Sequence, residues 1–129
     1  MNKIYNLISE IKIGQMSYRP YIISNFNIGS IAILDILYQE GYIGGYIVLT
    51  TKKSHPKIKI FLKYINNSPL IHDLVAISTP SNSVFLSVKQ IWKLANTKGL
   101  LILSTSVGIL SDDECKRLNI GGKVLIGVL

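Results

Sequence analysis

Residues 100–129 constrain this chain more than any other stretch. Two apolar runs, 100–103 and 109–110, are separated by Ser104-Thr105-Ser106-Val107-Gly108. Three small hydroxyl residues and a glycine, which turns without a Cβ penalty, predict strand, polar loop, strand. Ser111-Asp112-Asp113-Glu114 then fits a capping box, with Ser111 as N-cap and Glu114 reaching back to it. Asp112 and Asp113 suit the positive end of the helix dipole. The helix must be short, because Asn119 can take a left-handed C-cap and Gly121-Gly122 ends any helical pattern. Residues 123–129 are a terminal strand too apolar to be exposed on both faces. The stretch therefore presents a hydroxyl loop beside a diglycine turn.

Upstream, Ile4, Leu7, Ile8 and Ile11 recur at helical spacing, predicting a helix over 3–13 that ends at Gly14. Residues 20–24 form a short apolar strand. Asn25 or Asn27 can cap a second helix, with Ile28, Ile31, Leu34, Leu37 and Tyr38 as its buried face and Gly41 at its end. Gly44-Gly45 leads into a strand over 46–50, and 51–56 reads as a polar loop. Residues 57–64 alternate with period two, placing Ile58, Ile60, Leu62 and Tyr64 inward. Lys57, Lys59 and Lys63 point outward with Phe61 among them.

Asn66-Asn67-Ser68-Pro69 marks a boundary between units 1–66 and 67–129. The second unit starts with a long strand over 70–78, ended by Pro80. A hairpin return through Val84-Phe85-Leu86, a helix over 88–95 and a turn over 96–99 follow. The fold class is α+β: two small packed αβ units, an N-terminal α-β-α-β-β half and a β-rich C-terminal half with short helices.

The hydrophobic content of 48% over 129 residues supports a packed core, and the net charge of +7 favours a polyanionic partner. A single cysteine, Cys115, excludes an internal disulfide and reads as a small semi-buried helix residue. No apolar run approaches the roughly 20 residues of a membrane span, and Met1-Asn2-Lys3-Ile4 enters the first helix without a signal or transit pattern. Lys outnumbers Arg 12 to 2, and Ile, Asn and Tyr are abundant. Arg would bind phosphate at least as well, so the bias reflects A/T-rich codons. It points to an organelle-encoded protein, mitochondrial first, with a plastid or an A/T-rich bacterium as alternatives.

Four motifs, in order, carry a resemblance: Ile11-Lys12-Ile13-Gly14-Gln15, Glu40-Gly41-Tyr42-Ile43, Ser78-Thr79-Pro80, and Ser104-Thr105-Ser106-Val107-Gly108 with its short acidic-start helix and Gly121-Gly122. Over its whole length the chain resembles the bacterial-type small-subunit ribosomal protein S8 family. The resemblance implies direct binding to the central domain of small-subunit ribosomal RNA, a role in its assembly, and neighbouring ribosomal proteins as partners. It implies no cofactor, membrane or small-molecule substrate. The implied RNA-contacting residues are Ser104, Thr105, Ser106, Gly108, Gly121, Gly122, Lys123, Phe85 and Ser78, with Lys12, Gln15 and Arg19 as a basic surface at the end of helix one.

The chemistry of these residues fits that role. Hydroxyls donate and accept, and a tight turn exposes backbone N–H groups, which suits phosphate oxygens, 2′-OH groups and splayed bases. An ordinary Ser/Thr-rich turn bonding only to its own backbone is the plainer reading of the same residues. The chain departs from the family pattern at several positions. Val107 stands for a lysine, Lys123 for a glutamate, Phe85 for a tyrosine, Thr79 and Ser83 for basic residues, and 28–30 lacks lysines. The stripe Lys57, Lys59 and Lys63 reads equally as the polar outer set of a half-exposed strand.

An enzyme using Ser104 or Ser106 as nucleophile lacks support, since neither His55 nor His72 has a partner at triad or metal spacing and no phosphate loop is present. Helix capping accounts for Asp112, Asp113 and Glu114. An RNA-binding translational regulator outside the ribosome is the alternative function, since the same surface could serve it.

Overall fold

Apolar residues at helical spacing start the chain, and in the computed structural model, which describes residues 2–51, 54–71, 73–78, 81–94 and 99–128, they form α1 (Asn2–Met16). The chain divides into two compact units, Asn2–His72 and Asp73–Leu129.

In the first unit Leu7, Ile8 and Ile11 are buried, as the periodicity requires. The helix runs through Gly14 instead of ending there. A Cβ at Gly14 would stand 2.5 Å from Ile22 Cγ2 and 2.9 Å from Leu62 Cδ1, so this glycine serves close packing. The end comes at Tyr18, in the left-handed region, with Arg19 N donating to Gly14 O and Tyr18 N to Gln15 O. Tyr18 stacks on Tyr64, whose hydroxyl donates to Arg19 O.

The strands β1 (Tyr21–Asn25), β2 (Ile43–Thr51) and β3 (Ser54–Leu62) make an antiparallel sheet in the order β1-β3-β2. Ile58, Ile60 and Leu62 are buried as predicted. His55 and Pro56 belong to the strand, whereas the sequence placed them in a loop. Pro56 sits where the β2–β3 register shifts between Leu49 and Thr51, so its missing N–H breaks no regular ladder. Lys52 and Lys53 of that expected loop lie outside the described residues.

Between β1 and β2 runs α2 (Ile28–Gln39), capped by Asn27, whose side chain accepts from Gly29 N. Gly41 closes it with positive φ, as expected. Leu34 and Leu37 are buried as predicted, but the rest of the face differs: Ser30, Ile33 and Ile36 complete it, while Ile28 is 79% and Tyr38 56% exposed. Apolar residues occupy most positions of this helix, so periodicity alone does not select a face. The expected boundary residues Asn66 and Asn67, both at positive φ, form the turn between β4 (Tyr64–Ile65) and β5 (Ser68–Pro69).

The second unit is organised on its last strand, β10 (Gly122–Val128), which pairs on both sides. On one side lie β6 (Leu74–Ala76) and β7 (Phe85–Leu86), one after the other along the same edge. The long strand over 70–78 and the hairpin return are therefore corrected: these strands pair with β10, not with each other. Ile77 N donating to Leu125 O and Val124 N donating to Val84 O carry the ladder across the interruption. Thr79, Pro80 and His72 lie outside the described residues.

On the other side β10 pairs with β8 (Leu100–Thr105), and β8 with β9 (Gly108–Ser111). A bulge at Leu125 lets Val124, Leu125 and Ile126 be buried in succession. Two short helices accompany the sheet. In α3 (Val88–Lys93) Ser87 and Gln90 form a reciprocal capping box; Ala95 and residues 96–98 lie outside the described residues. In α4 (Asp112–Leu118) Ser111 Oγ accepts from Glu114 N and Asn119 takes the left-handed cap, as the sequence predicts. Cys115 packs in the core with Ile91, Leu103 and Val124. Burial, with Asp112 and Glu114 adding to it, pushes its thiol pKa up.

Candidate nucleic-acid interface

The β8–β9 register pairs Thr105 with Gly108, leaving Ser106 and Val107 as a two-residue turn. The three hydroxyls of the predicted loop have different surroundings. Thr105 Oγ1 accepts from Val107 N and Gly108 N, both at 3.2 Å, and donates to Gly108 O at 2.7 Å. It is the internal lock of the turn. Ser104 and Ser106 are exposed beside it. Gly108 has φ +139 with no atom near a built Cβ, so the backbone conformation requires this glycine.

The same strands bring distant residues into one row. Lys123 on β10 is in register with Ser104 on one side and Phe85 on the other. Directly opposed residues share a face of the sheet about 4.5–5.5 Å apart. Phe85, Lys123 and Ser104 thus form a row of ring, cation and hydroxyl next to the hairpin tip, with Phe85 68% exposed. Pairing of three strands produces this row, and no local motif contains it.

Ser78 is 1% exposed; its Oγ accepts from Val84 N at 3.0 Å and donates to Val84 O at 3.4 Å. Its hydroxyl closes the base of the excursion that precedes Phe85. Gly121 and Gly122 enter a strand and not a turn. A Cβ at Gly121 would collide with Leu86 O and lie 2.9 Å from Ser87 Cα, and one at Gly122 would lie 2.5 Å from Ser104 O. Both glycines admit close approach of the protein's own backbone.

In the first unit Lys12 and Arg19 are exposed near the end of α1, while Gln15 is 4% exposed and its Nε2 has no hydrogen-bond partner among the described residues. The sequence reading also missed a cluster on the sheet: Lys59 Nζ lies 4.1 Å from the Tyr21 ring centroid and 5.4 Å from that of Phe61. Tyr21 pairs with Phe61 across 40 residues of chain, a proximity that alternation cannot reveal. Lys57 donates to Asn25 Oδ1 at 2.9 Å. Lys57 and Lys59 are thus tied to the sheet surface, which suits the plainer reading of that stripe.

Comparison with known proteins agrees over the full length. The family model described as Ribosomal protein S8 matches residues 2–129. The small ribosomal subunit protein uS8m of Acanthamoeba castellanii is 38% identical, with 99% of each chain covered. The small ribosomal subunit protein uS8 of Ehrlichia canis is 39% identical, covering 97% of this chain and 95% of its own. That of Nitrobacter winogradskyi is 34% identical over the same shares. With the two-unit α+β architecture and a match spanning nearly every residue, this chain belongs to the ribosomal protein S8 family.

Proposed function

We propose that this protein binds directly to the central domain of small-subunit ribosomal RNA, as a non-catalytic component that helps the subunit assemble beside neighbouring ribosomal proteins. The observation that carries the reading is the row of Phe85, Lys123 and Ser104 beside the Ser106 tip. A ring can stack on an unpaired base, a cation attracts phosphate, and exposed hydroxyls reach 2′-OH groups and base edges. Thr105, Gly108, Gly121, Gly122 and Ser78 hold that surface in shape. Lys12 and Arg19 supply attraction from the first unit, whereas Gln15 is buried. A net charge of +7 adds the nonspecific pull that such recognition needs.

The codon bias toward Lys, Asn and Ile, together with the uS8m relative, supports a mitochondrial location. The experiment is sedimentation of the native protein through a sucrose gradient of mitochondrial extract. Co-migration with the small subunit is expected. A protein found only in light fractions, bound to messenger RNA, would favour the translational-regulator reading instead.

A further inference from the structure

A pocket of about 480 Å³ with mixed polar and apolar lining lies in the first unit, bounded by Asn6 and Glu10 of α1, Ser24 and Asn25 of β1, Phe26, Ser30 of α2, and His55 and Pro56 of β3; the Lys57 ammonium donates to Asn25 Oδ1. Its volume lies within the range of small-ligand sites. Ser24 and Ser30 are buried hydroxyls. Glu10 points the same way: its Oε2 is closed off from solvent and, among the described residues, has no hydrogen-bond partner. A carboxylate oxygen in that condition is costly unless a donor reaches it. The torsion that carries the oxygens is broad, so a small rotation would turn one toward the lumen.

We infer that this pocket receives the guanidinium of an arginine side chain from a neighbouring protein. A guanidinium presents planar paired donors that match a carboxylate, and its face can lie against Phe26. The amide and hydroxyl oxygens of Asn6, Ser24 and Ser30 are acceptors for its remaining donors. The presence of a neighbour rests on the assembly proposed above. The preference for a cation does not, so the two are tested separately.

The test is amide-resolved NMR titration of the full chain with N-acetyl-argininamide, its uncharged counterpart N-acetyl-citrullinamide, and spermidine. The arginine probe should give saturable shifts at Asn6, Ser24 and Ser30. Both citrulline and the Glu10→Gln variant should weaken binding roughly tenfold, the loss of one charge-assisted hydrogen bond. Glu10→Gln should melt at the same temperature as the parent or higher, since it removes the charge from a group one of whose oxygens has no partner among the described residues. Absent shifts, shifts that persist in Glu10→Gln, or a variant that melts lower would each overturn the proposal. Spermidine binding as tightly as the arginine probe would overturn the assignment to a protein side chain. An rRNA hairpin displacing the arginine probe would show that the pocket is an RNA site instead.

Discussion

Gly108 on β9 and Gly122 on β10 flank the same strand, β8, from opposite sides, and both look like turn glycines in the sequence. Gly108 stands in open space at φ +139 and is required by backbone conformation. Gly122 has Ser104 O where a Cβ would be and is required by packing. The first kind of glycine leaves its surroundings free for a ligand; the second brings two strands together and so sets the Phe85–Lys123–Ser104 row. Identical residues thus meet a backbone requirement at one place and a packing requirement at the other.

The largest effect expected from this contrast is on Gly122→Val. The side chain must displace the β8 backbone, so the variant should lose about 3 kcal/mol or more in urea unfolding. Gly108→Val has free space and should lose only the cost of its backbone region, about 1–3 kcal/mol. Equal losses for the two would erase the distinction. Next comes Thr105→Val, which removes the hub of three hydrogen bonds and should lower stability by about 1–2 kcal/mol. Ser106→Ala, one residue along, should stay within about 0.5 kcal/mol of the parent. A Thr105 variant as stable as the Ser106 variant would show that the turn needs no internal lock.

Away from the surface, Cys115 gives the smallest effect, one confined to high pH. Burial raises its thiol pKa, so the folded protein keeps a proton that the unfolded chain releases. Stability should be indifferent to this group below about pH 8.5, the ordinary thiol value, and should decline as pH rises above it. Comparing the pH dependence of melting for the parent and Cys115→Ala isolates the contribution. Identical slopes above that pH would contradict the burial argument.

Much of this was legible in the residues, for local reasons. Ser111 and Asn119 cap α4 as expected because caps depend on a few adjacent residues. Ile58 and Ile60 are buried because alternation follows from strand geometry. What the sequence hid depends on pairing between distant segments. Gly14 lies within a helix because Ile22 and Leu62 approach it. β6 and β7 share one edge of β10 instead of forming a hairpin, a pairing with residues about 35–55 positions further along the chain. The candidate site divides in the same way. Its hydroxyl hairpin was visible as a motif, but the roles of Thr105 and Ser78 as internal ties, and the row joining Phe85 to Ser104, needed the strand register.

In the proposed mode of RNA binding the hairpin hydroxyls carry specificity while lysines supply general attraction. Binding of the parent, Ser106→Ala and Lys123→Ala to cognate and scrambled RNA hairpins at several salt concentrations tests it directly. Ser106→Ala should lose roughly 0.5–1.5 kcal/mol on the cognate hairpin alone, with its salt slope unchanged. Lys123→Ala should weaken binding to both RNAs and flatten the log-affinity against log-salt slope by about 0.7–0.9. Equal losses on cognate and scrambled RNA for Ser106→Ala would contradict the account.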